Sequence, residues 1–193
     1  MRLNHLAAAA MIVFLAATVS SPLLAIPDSF KPCTTERFGP DALCGTIPVL
    51  EDRSQSSGRS IDLRVVVLPA TGDKAREPLF LLAGGPGQGA TDLTELALGP
   101  FTPAREFRDM VLVDQRGTGA SNPIDCPVDA EGAPEEVFGG LFDPDQMREC
   151  LEGIKQHAEP TLYTSDQVVD DLDEVRAKLG YDKVLLWGGS GGT

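Results

Sequence analysis

The feature that most constrains the fold of this chain is an apolar run at 183–187 that ends abruptly in small residues around one serine, Ser190. This pattern predicts a buried strand that leads directly into a tight turn. Glycine at 188 and 192 removes side chains where the backbone of such a turn approaches itself. We therefore expect Ser190 to stand on a strained turn at the end of a strand.

The turn also matches a chemical motif, since Gly188, Ser190 and Gly192 fit G-x-S-x-G, the pattern of a serine nucleophile between a strand and a helix. A glycine-rich chain can contain this pattern by chance, and a Gly/Ser run can be a flexible linker. The apolar residues directly before the turn favour the nucleophile, because the motif requires a preceding strand.

The first 25 residues have the pattern of a secretory signal peptide, with a positive start at Arg2, an uncharged apolar stretch at 6–19 and a small residue, Ala25, at the cleavage position. The alternative is a membrane anchor. The apolar stretch is shorter than the roughly 20 residues that a span needs, and no later segment could cross a bilayer. We therefore expect a secreted or periplasmic protein without stable membrane insertion.

The net charge of −13 limits the partners of the protein. An acidic surface repels nucleic acid and anionic lipid, so we expect no nucleic-acid partner. The charge does not identify a substrate, and no motif indicates a cofactor or a metal. The oligomeric state stays open.

All four cysteines lie after the predicted signal peptide, and no C-x-x-C pair or histidine cluster accompanies them. This arrangement favours disulfides over a metal site. Sequence alone permits three pairings, of which we favour the local ones, Cys33 with Cys44 and Cys126 with Cys150. On the loop-entropy model they would stabilise the fold by roughly 3 and 3.5 kcal/mol. The alternative is that the thiols stay free and buried.

The mature N-terminus, 26–45, has no clear period and is predicted to be a loop segment held by its disulfide. A short strand at 46–50, a polar turn at 52–60 and an alternating strand at 61–68 predict an antiparallel, half-exposed hairpin.

The following segments alternate between strands and helices. Apolar runs at 79–83 and 110–113 are typical of buried strands, and helical pieces are expected at 91–98, 104–109 and 143–157. A helix at 164–179 has an apolar face, a capping box formed by Thr164 and Gln167, and Gly180 at its end. The pattern predicts an α/β protein with a mainly parallel sheet and an antiparallel N-terminal hairpin.

A glycine loop, 84–90, follows the strand at 79–83 and exposes backbone N–H groups to something negative. A serine nucleophile needs such donors to hold the oxyanion that forms on the attacked carbonyl. One donor would be the N–H of Gly191, and the loop should supply the second. The rival interpretation is a dinucleotide fingerprint, Gly85-x-Gly87-x-x-Ala90, but Pro86 has no N–H and no Gly-Lys-Ser/Thr motif is present.

Three motifs together carry a specific resemblance: 82–88, 114–121 and 188–192. In this order and spacing they resemble the α/β-hydrolase peptidases of the proline iminopeptidase and tripeptidyl aminopeptidase group. The resemblance covers 46–193 and implies an exported serine exopeptidase that acts on the N-terminus of peptides. It also implies that Ser190 is the nucleophile and that Gly85 and Gly191 form the oxyanion hole.

The same resemblance gives Asp114 and Arg116 a structural role. Where the family's glycine loop often begins with histidine, this chain has Ala83, which favours the secreted aminopeptidase-like branch.

In α/β-hydrolases the acid and the histidine of the triad follow the serine along the chain. We therefore expect both beyond Thr193 and interpret 46–193 as the N-terminal part of an α/β-hydrolase domain that is incomplete at its C-terminus. His157 precedes the serine and is expected to be an ordinary solvated histidine. A chain that ends here should lack turnover, because it has no acid and histidine for the serine. It should also fold poorly, because its last strand would leave an exposed apolar edge. Two alternatives stay open: a secreted esterase or lipase-like hydrolase, and a non-catalytic binding protein on the same scaffold.

Overall fold

The computed structural model of this protein describes residues 26–73, 77–85, 87–126 and 144–193. The predicted signal peptide, 1–25, lies outside the described residues, as do Pro86 and Asp143. The described strands are β1 (Lys31–Pro32), β2 (Leu43–Leu50), β3 (Ser60–Leu68), β4 (Leu79–Leu82), β5 (Met110–Val113) and β6 (Leu185–Gly188).

Four α-helices are described: α1 (Thr94–Leu98), α2 (Thr102–Arg105), α3 (Pro144–Lys155) and α4 (Ser165–Lys178). Single 3-10 turns occur at Glu36–Phe38, Ala90–Leu93, Pro160–Leu162 and Ser190–Gly192. None of the helices in the described ranges has the length and apolar character that a membrane crossing needs.

The described strands form a six-stranded sheet in the order β1-β2-β3-β5-β4-β6. β2 and β3 form an antiparallel hairpin, β3 runs antiparallel to β5, and β4 runs parallel to both β5 and β6. Four of the six strands, β2, β4, β5 and β6, therefore point the same way. The predicted α/β class, with a mainly parallel sheet and an antiparallel N-terminal hairpin, is confirmed.

Two apolar layers cover the two faces of this sheet. On one face Phe80, Val111 and Val113 pack with Val175 and Leu179, which flank the C-terminal end of α4. On the other face, side chains of β3, β4 and β5 pack with Ala97 of α1. The second half of β3, Val65 to Leu68, is buried on both faces, so the expectation of a half-exposed hairpin is wrong there. Val175 and Leu179 lie in the apolar layer on one face, and Phe38, Ala42 and Ala97 lie in the layer on the other.

Several local predictions differ from the structure. β2 begins at Leu43, before the expected residue 46, because it also pairs with β1. The helix expected at 104–109 lies at Thr102–Arg105 instead, with a proline in its first turn. The capping box is wrong, because the Thr164 side chain makes no capping hydrogen bond and Gln167 Oε1 is buried without a hydrogen-bond partner in the described ranges.

The burial expected for the last strand is wrong, whereas the exposed apolar edge that was also expected there is present. Leu185 and Leu186 in β6 are 45% and 60% exposed, because β6 is an edge strand of the described sheet and pairs there with β4. The structure contains both favoured disulfides, Cys33–Cys44 between the segments of β1 and β2 and Cys126–Cys150, which attaches α3.

Candidate active site

Ser190 follows β6 after one residue, Gly189, and its backbone has a positive φ of 55°. Left-handed backbone is unfavourable for a residue with a Cβ atom and persists only where the surroundings hold it. Here Gly189 N donates to Leu82 O of β4 at 3.4 Å, and Thr193 Oγ1 donates to Ser190 O at 2.7 Å. The serine therefore stands exposed on a fixed turn at the end of the strand.

The glycines of the turn are required by close backbone approach. A Cβ atom on Gly188 would overlap the carbonyl oxygen of Gly192. A Cβ atom on Gly192 would lie 2.6 Å from the carbonyl oxygen of Leu82 in the neighbouring strand. Only hydrogen fits at both positions, which is the physical reason for the G-x-S-x-G spacing.

The glycine loop after β4 lies against this turn. A Cβ atom on Gly84 would be 2.8 Å from Ser190 Cβ and 3.3 Å from Gly191 N. The backbone nitrogen of Gly85 is 3.8 Å from the position that a Cβ atom would take on Gly191. The structure thus brings Ser190, Gly85 and Gly191, the residues predicted for the site, into one small region.

This proximity follows from the topology. β4 and β6 are neighbouring parallel strands, so the loops at their carboxyl ends meet at the same edge of the sheet. Gly85 and Gly191 are both exposed there, and Gly85 has a φ of 114°, which favours glycine. Backbone N–H groups at such an edge suit a negatively charged oxygen.

Asp114, directly after β5, connects the glycine loop to the next loop. It is fully buried and accepts hydrogen bonds from Thr91 N at 2.8 Å, Thr91 Oγ1 at 3.1 Å and Ala120 N at 3.0 Å. Its own carbonyl oxygen accepts from Ser121 Oγ at 2.6 Å. These contacts agree with the structural role that the resemblance implied.

Arg116 forms a buried ion pair with Asp171 of α4. Its Nε and Nη2 donate to the two carboxylate oxygens of Asp171 at 2.7 and 2.8 Å. Its remaining donors reach the carbonyl oxygens of Leu50, Glu51 and Leu162. The guanidinium therefore joins the β2 end, the β5 exit loop and α4.

Tyr163 lies beside this ion pair, with its ring 5.8 Å from the Arg116 guanidinium. Its hydroxyl donates to Glu51 Oε1 at 3.1 Å and accepts from Asn122 Nδ2 at 2.6 Å. Burial raises the pKa of the Tyr163 hydroxyl, and the Asn122 bond partly opposes this effect. Tyr163 is therefore a neutral donor at physiological pH.

A cavity of about 860 Å³ opens beside the turn, between the sheet and α4. Its apolar walls include Phe80, Leu82, Leu172 and Leu186, and it reaches Gly191. In the described ranges no cluster of His, Cys, Asp and Glu is arranged to hold a metal ion.

His157 lies elsewhere, at a smaller cavity of about 380 Å³ that also contains Cys150. The imidazole is exposed, and its Nε2 lies 3.2 Å from the carbonyl oxygen of Pro123. These contacts agree with the expected surface histidine.

Sequence reasoning gave no role to two residues that shape this region, Thr91 and Asp171, and it placed Gly84 in the glycine loop without giving it a role of its own. Gly84 makes the tightest approach of the glycine loop to Ser190, although the resemblance pointed to Gly85. A signal existed for Asp171, because it lies three residues after Val168 and four before Val175, on the predicted apolar face of α4. An acidic residue on such a face needs a buried partner.

Known proteins related in sequence point to the same chemistry. Serine protease Hip1 of Mycobacterium tuberculosis is 32% identical over 203 residues, covering 92% of this chain and 37% of that protein. Tripeptidyl aminopeptidase of Streptomyces lividans is 31% identical over 166 residues, covering 78% of this chain and 31% of that protein. Carboxylesterase B of Mycobacterium tuberculosis is 34% identical over 124 residues, covering 59% of this chain and 23% of that protein. No protein-family model matches the chain.

The chain thus spans between about a quarter and somewhat more than a third of the length of these curated relatives. Within that span it has the strand order, the strained serine turn and the glycine loop described above. Relatives named as a serine protease and an aminopeptidase support the resemblance that the three motifs indicated. By sequence and by architecture, the chain is an α/β-hydrolase of the serine peptidase group.

Proposed function

We propose that the protein is an exported serine hydrolase that releases residues or short peptides from the N-terminus of peptides through an acyl-enzyme on Ser190. The observation that carries this proposal is the left-handed backbone of Ser190, φ 55°, on a turn packed against a glycine loop. Strained backbone around an exposed hydroxyl is characteristic of functional sites.

In the proposed reaction, Ser190 Oγ attacks the scissile carbonyl carbon while a general base takes the hydroxyl proton. The N–H groups of Gly85 and Gly191 bind the oxyanion. The C–N bond then breaks, the amine leaves with the proton, and water hydrolyses the ester that remains on Ser190. We place the acid and the histidine after Ser190 in chain order, as in other α/β-hydrolases.

Peptide substrates are supported by the relatives named serine protease Hip1 and tripeptidyl aminopeptidase. The relative named carboxylesterase B favours an esterase as the second candidate, because the same serine turn serves every acyl transfer. Export is supported by the signal-peptide pattern at 1–25 and by the two disulfides, which persist in oxidising compartments.

The test uses the protein as its gene encodes it, purified beside Ser190→Ala and a matched control, Ser57→Ala, which changes an exposed loop serine. We expect the wild type and Ser57→Ala to release p-nitroaniline from tripeptidyl anilides with a free N-terminus, and to react with a fluorophosphonate probe. We expect Ser190→Ala to do neither, since the nucleophile contributes several orders of magnitude to kcat.

The same assay separates the alternatives. Hydrolysis of p-nitrophenyl esters without anilide hydrolysis would favour the esterase, and equal cleavage of N-acetylated anilides would exclude an aminopeptidase. Undiminished turnover in Ser190→Ala, or no probe labelling of the wild type, would overturn the assignment of the nucleophile.

A further inference from the structure

β5 is flanked by two buried aspartates, Asp109 before its first residue and Asp114 after its last. Asp109 is 3% exposed and Asp114 is 0% exposed. A buried carboxylate is tolerated only where donors replace the water that it has lost. The donors around each aspartate therefore show which parts of the chain it holds in place.

Asp114 holds the far end of the glycine loop. Both donors of Thr91, its N–H and its hydroxyl, bind the carboxylate, at 2.8 Å on Oδ1 and 3.1 Å on Oδ2. Thr91 directly follows the loop. Its carbonyl oxygen accepts from Oγ1 of Thr94, the first residue of α1, at 2.6 Å. The carboxylate thus fixes the point where the loop becomes a helix.

Two glycines enclose this carboxylate. A Cβ atom on Gly89 would lie 2.8 Å from Asp114 Oδ1, and one on Gly119 would overlap Oδ2. The loops after β4 and β5 therefore contact each other with no side chain between them, and they share one buried acceptor. Movement of the glycine loop away from Asp114 would leave that acceptor short of donors.

The near end of the same loop touches the serine turn. A Cβ atom on Gly84 would be 2.8 Å from Ser190 Cβ, and Gln88 N donates to Gly84 O at 3.3 Å across the loop. The Gly85 amide thus lies between one end set by β4 and another set by Asp114. Glycine does not restrict its own backbone conformation, so the contacts at these two ends of the loop determine the position of the Gly85 amide.

We propose that Asp114 is a positioning residue for the oxyanion hole: through Thr91 it holds the loop that carries the Gly85 amide at the place where the oxyanion on the Ser190 adduct forms. Asp114 touches no substrate, and its effect on catalysis is indirect. This inference rests on the proposed function of Ser190 and Gly85.

The discriminating variant is Asp114→Asn, which keeps size and shape but has one acceptor oxygen. An amide cannot accept both from Thr91 N on one side and from Ala120 N on the other. The matched control is Asp109→Asn, at the opposite end of the same strand. Asp109 accepts from Ala70 N at 3.0 Å and from the Tyr181 hydroxyl at 2.6 Å, and a hydroxyl can also accept from an amide.

In the protein as its gene encodes it, we expect Asp114→Asn to lower kcat per titrated active site by about 10- to 100-fold, somewhat less than removal of an oxyanion donor does. KM should change little, since the carbonyl of the bound substrate carries no negative charge for the oxyanion hole to stabilise before Ser190 attacks it. Affinity for a peptidyl boronate, which forms a tetrahedral adduct with the serine, should fall in step with kcat, while affinity for the product peptide stays constant. Asp109→Asn should leave kcat and both affinities close to those of the wild type.

A second pair of variants applies where Asp114→Asn does not fold. Thr91→Val removes only the hydroxyl donor and should lower kcat, whereas Thr91→Ser retains the donor and should restore it. Hydrogen exchange of residues 84–91, which requires no turnover, should be faster in Asp114→Asn and Thr91→Val than in Asp109→Asn.

The outcomes separate the two proposals. Hydrolysis that persists in Ser190→Ala overturns the proposed function, whereas Ser190-dependent hydrolysis with Asp114→Asn equal to Asp109→Asn overturns the positioning role. Equal loss of boronate and product affinity would also overturn it, since that pattern reports general disruption. If the protein shows no turnover, hydrogen exchange at 84–91 that is the same in Asp114→Asn as in Asp109→Asn would overturn the positioning role.

Discussion

Tyr181 donates its buried hydroxyl to a buried carboxylate. The side chain is 4% exposed, and its ring meets Phe80 edge-on with centroids 6.4 Å apart. The hydroxyl donates to Asp109 Oδ2 at 2.6 Å. Burial, together with the bond to Asp109 and the charge of that carboxylate, raises the pKa of the Tyr181 hydroxyl far above its ordinary value of 10.0. Tyr181 therefore stays neutral in the folded protein at a pH where the unfolded chain ionises.

This difference predicts a loss of stability in alkali. A raised pKa in the folded state contributes stability that is complete below the unfolded pKa of about 10 and is lost as pH rises toward the folded pKa. We expect the urea-derived free energy of unfolding to fall above pH 10 by up to about 1.4 kcal/mol per pH unit from this residue. Tyr181→Phe should reduce the slope.

Tyr163→Phe is the matched control and should change the slope less, because Tyr163 is only partly buried. If the wild type and Tyr181→Phe lose stability in parallel above pH 10, ionisation of Tyr181 is not the cause of the loss.

Among the elements, α3 exposes most of its residues to solvent. Ile154 is its buried apolar residue, while Met147 and Leu151 are 48% and 39% exposed. Cys150 in α3 is bonded to Cys126, with 5.6 Å between their Cα atoms. The disulfide therefore links this exposed helix covalently to the segment that ends at Cys126.

Removal of the Cys126–Cys150 bond should destabilise the protein. With a sequence separation of 24 between the cysteines, the loop-entropy model gives a loss of about 3.5 kcal/mol for a double Cys→Ser variant. The matched comparison is the double variant at Cys33 and Cys44, separated by 11 residues, with an expected loss of about 3 kcal/mol. Urea unfolding measures both.

Hydrogen exchange then shows where stability is lost. Amides of α3 should exchange faster than in the wild type in the Cys126/Cys150 variant. In the Cys33/Cys44 variant they should exchange at the wild-type rate. Equal protection of α3 in both variants would mean that packing, rather than the disulfide, holds the helix.

The success of the sequence predictions depended on how local each signal was. β4, β5 and α4 were predictable, because apolar runs and an apolar helix face are set by the residues of the element itself. The Thr164 capping box failed although its local pattern fits, since in the described ranges the Thr164 side chain makes no capping hydrogen bond and Gln167 Oε1 is buried without one. α2 was displaced because its residues carry little period and a proline set its start.

The same distinction holds for the candidate site. The meeting of the glycine loop and the Ser190 turn was predictable, since both follow strands of one parallel sheet. The partnership of Arg116 with Asp171 was not, because 55 residues separate them and several acidic residues precede or follow Asp171 in α4. Which one is buried is decided by packing rather than by the local sequence.

For the molecule as a whole, the described sheet ends in an apolar edge. β6 exposes Leu185 and Leu186, and Val169 of α4 is 64% exposed across the same cavity. Unpaired strand edges with apolar side chains associate with other chains. This surface is therefore a candidate for association with other chains.

We therefore expect the 193-residue chain, with its disulfides formed, to self-associate and to bind the dye ANS. Light scattering after size-exclusion chromatography should show species larger than a monomer. Leu186→Lys should reduce both association and dye binding, because a charge at an edge disfavours pairing.

Leu151→Lys, on the exposed side of α3, is the control and should change neither measurement. A monodisperse, cooperatively unfolding monomer of the unmodified chain would contradict the prediction.

Arg116 also bears on the order in which this chain acquires its structure. Its guanidinium bonds to groups 65, 46 and 55 residues away, at Glu51, Leu162 and Asp171. During synthesis from the N-terminus, the β2–β3 hairpin emerges early, but the carboxylate of Asp171 emerges after all the other groups that Arg116 binds. Closing the core earlier would bury an uncompensated charge. The nascent chain therefore has to stay open until α4 has emerged, which favours a slow, all-or-none closure over stepwise growth of the sheet.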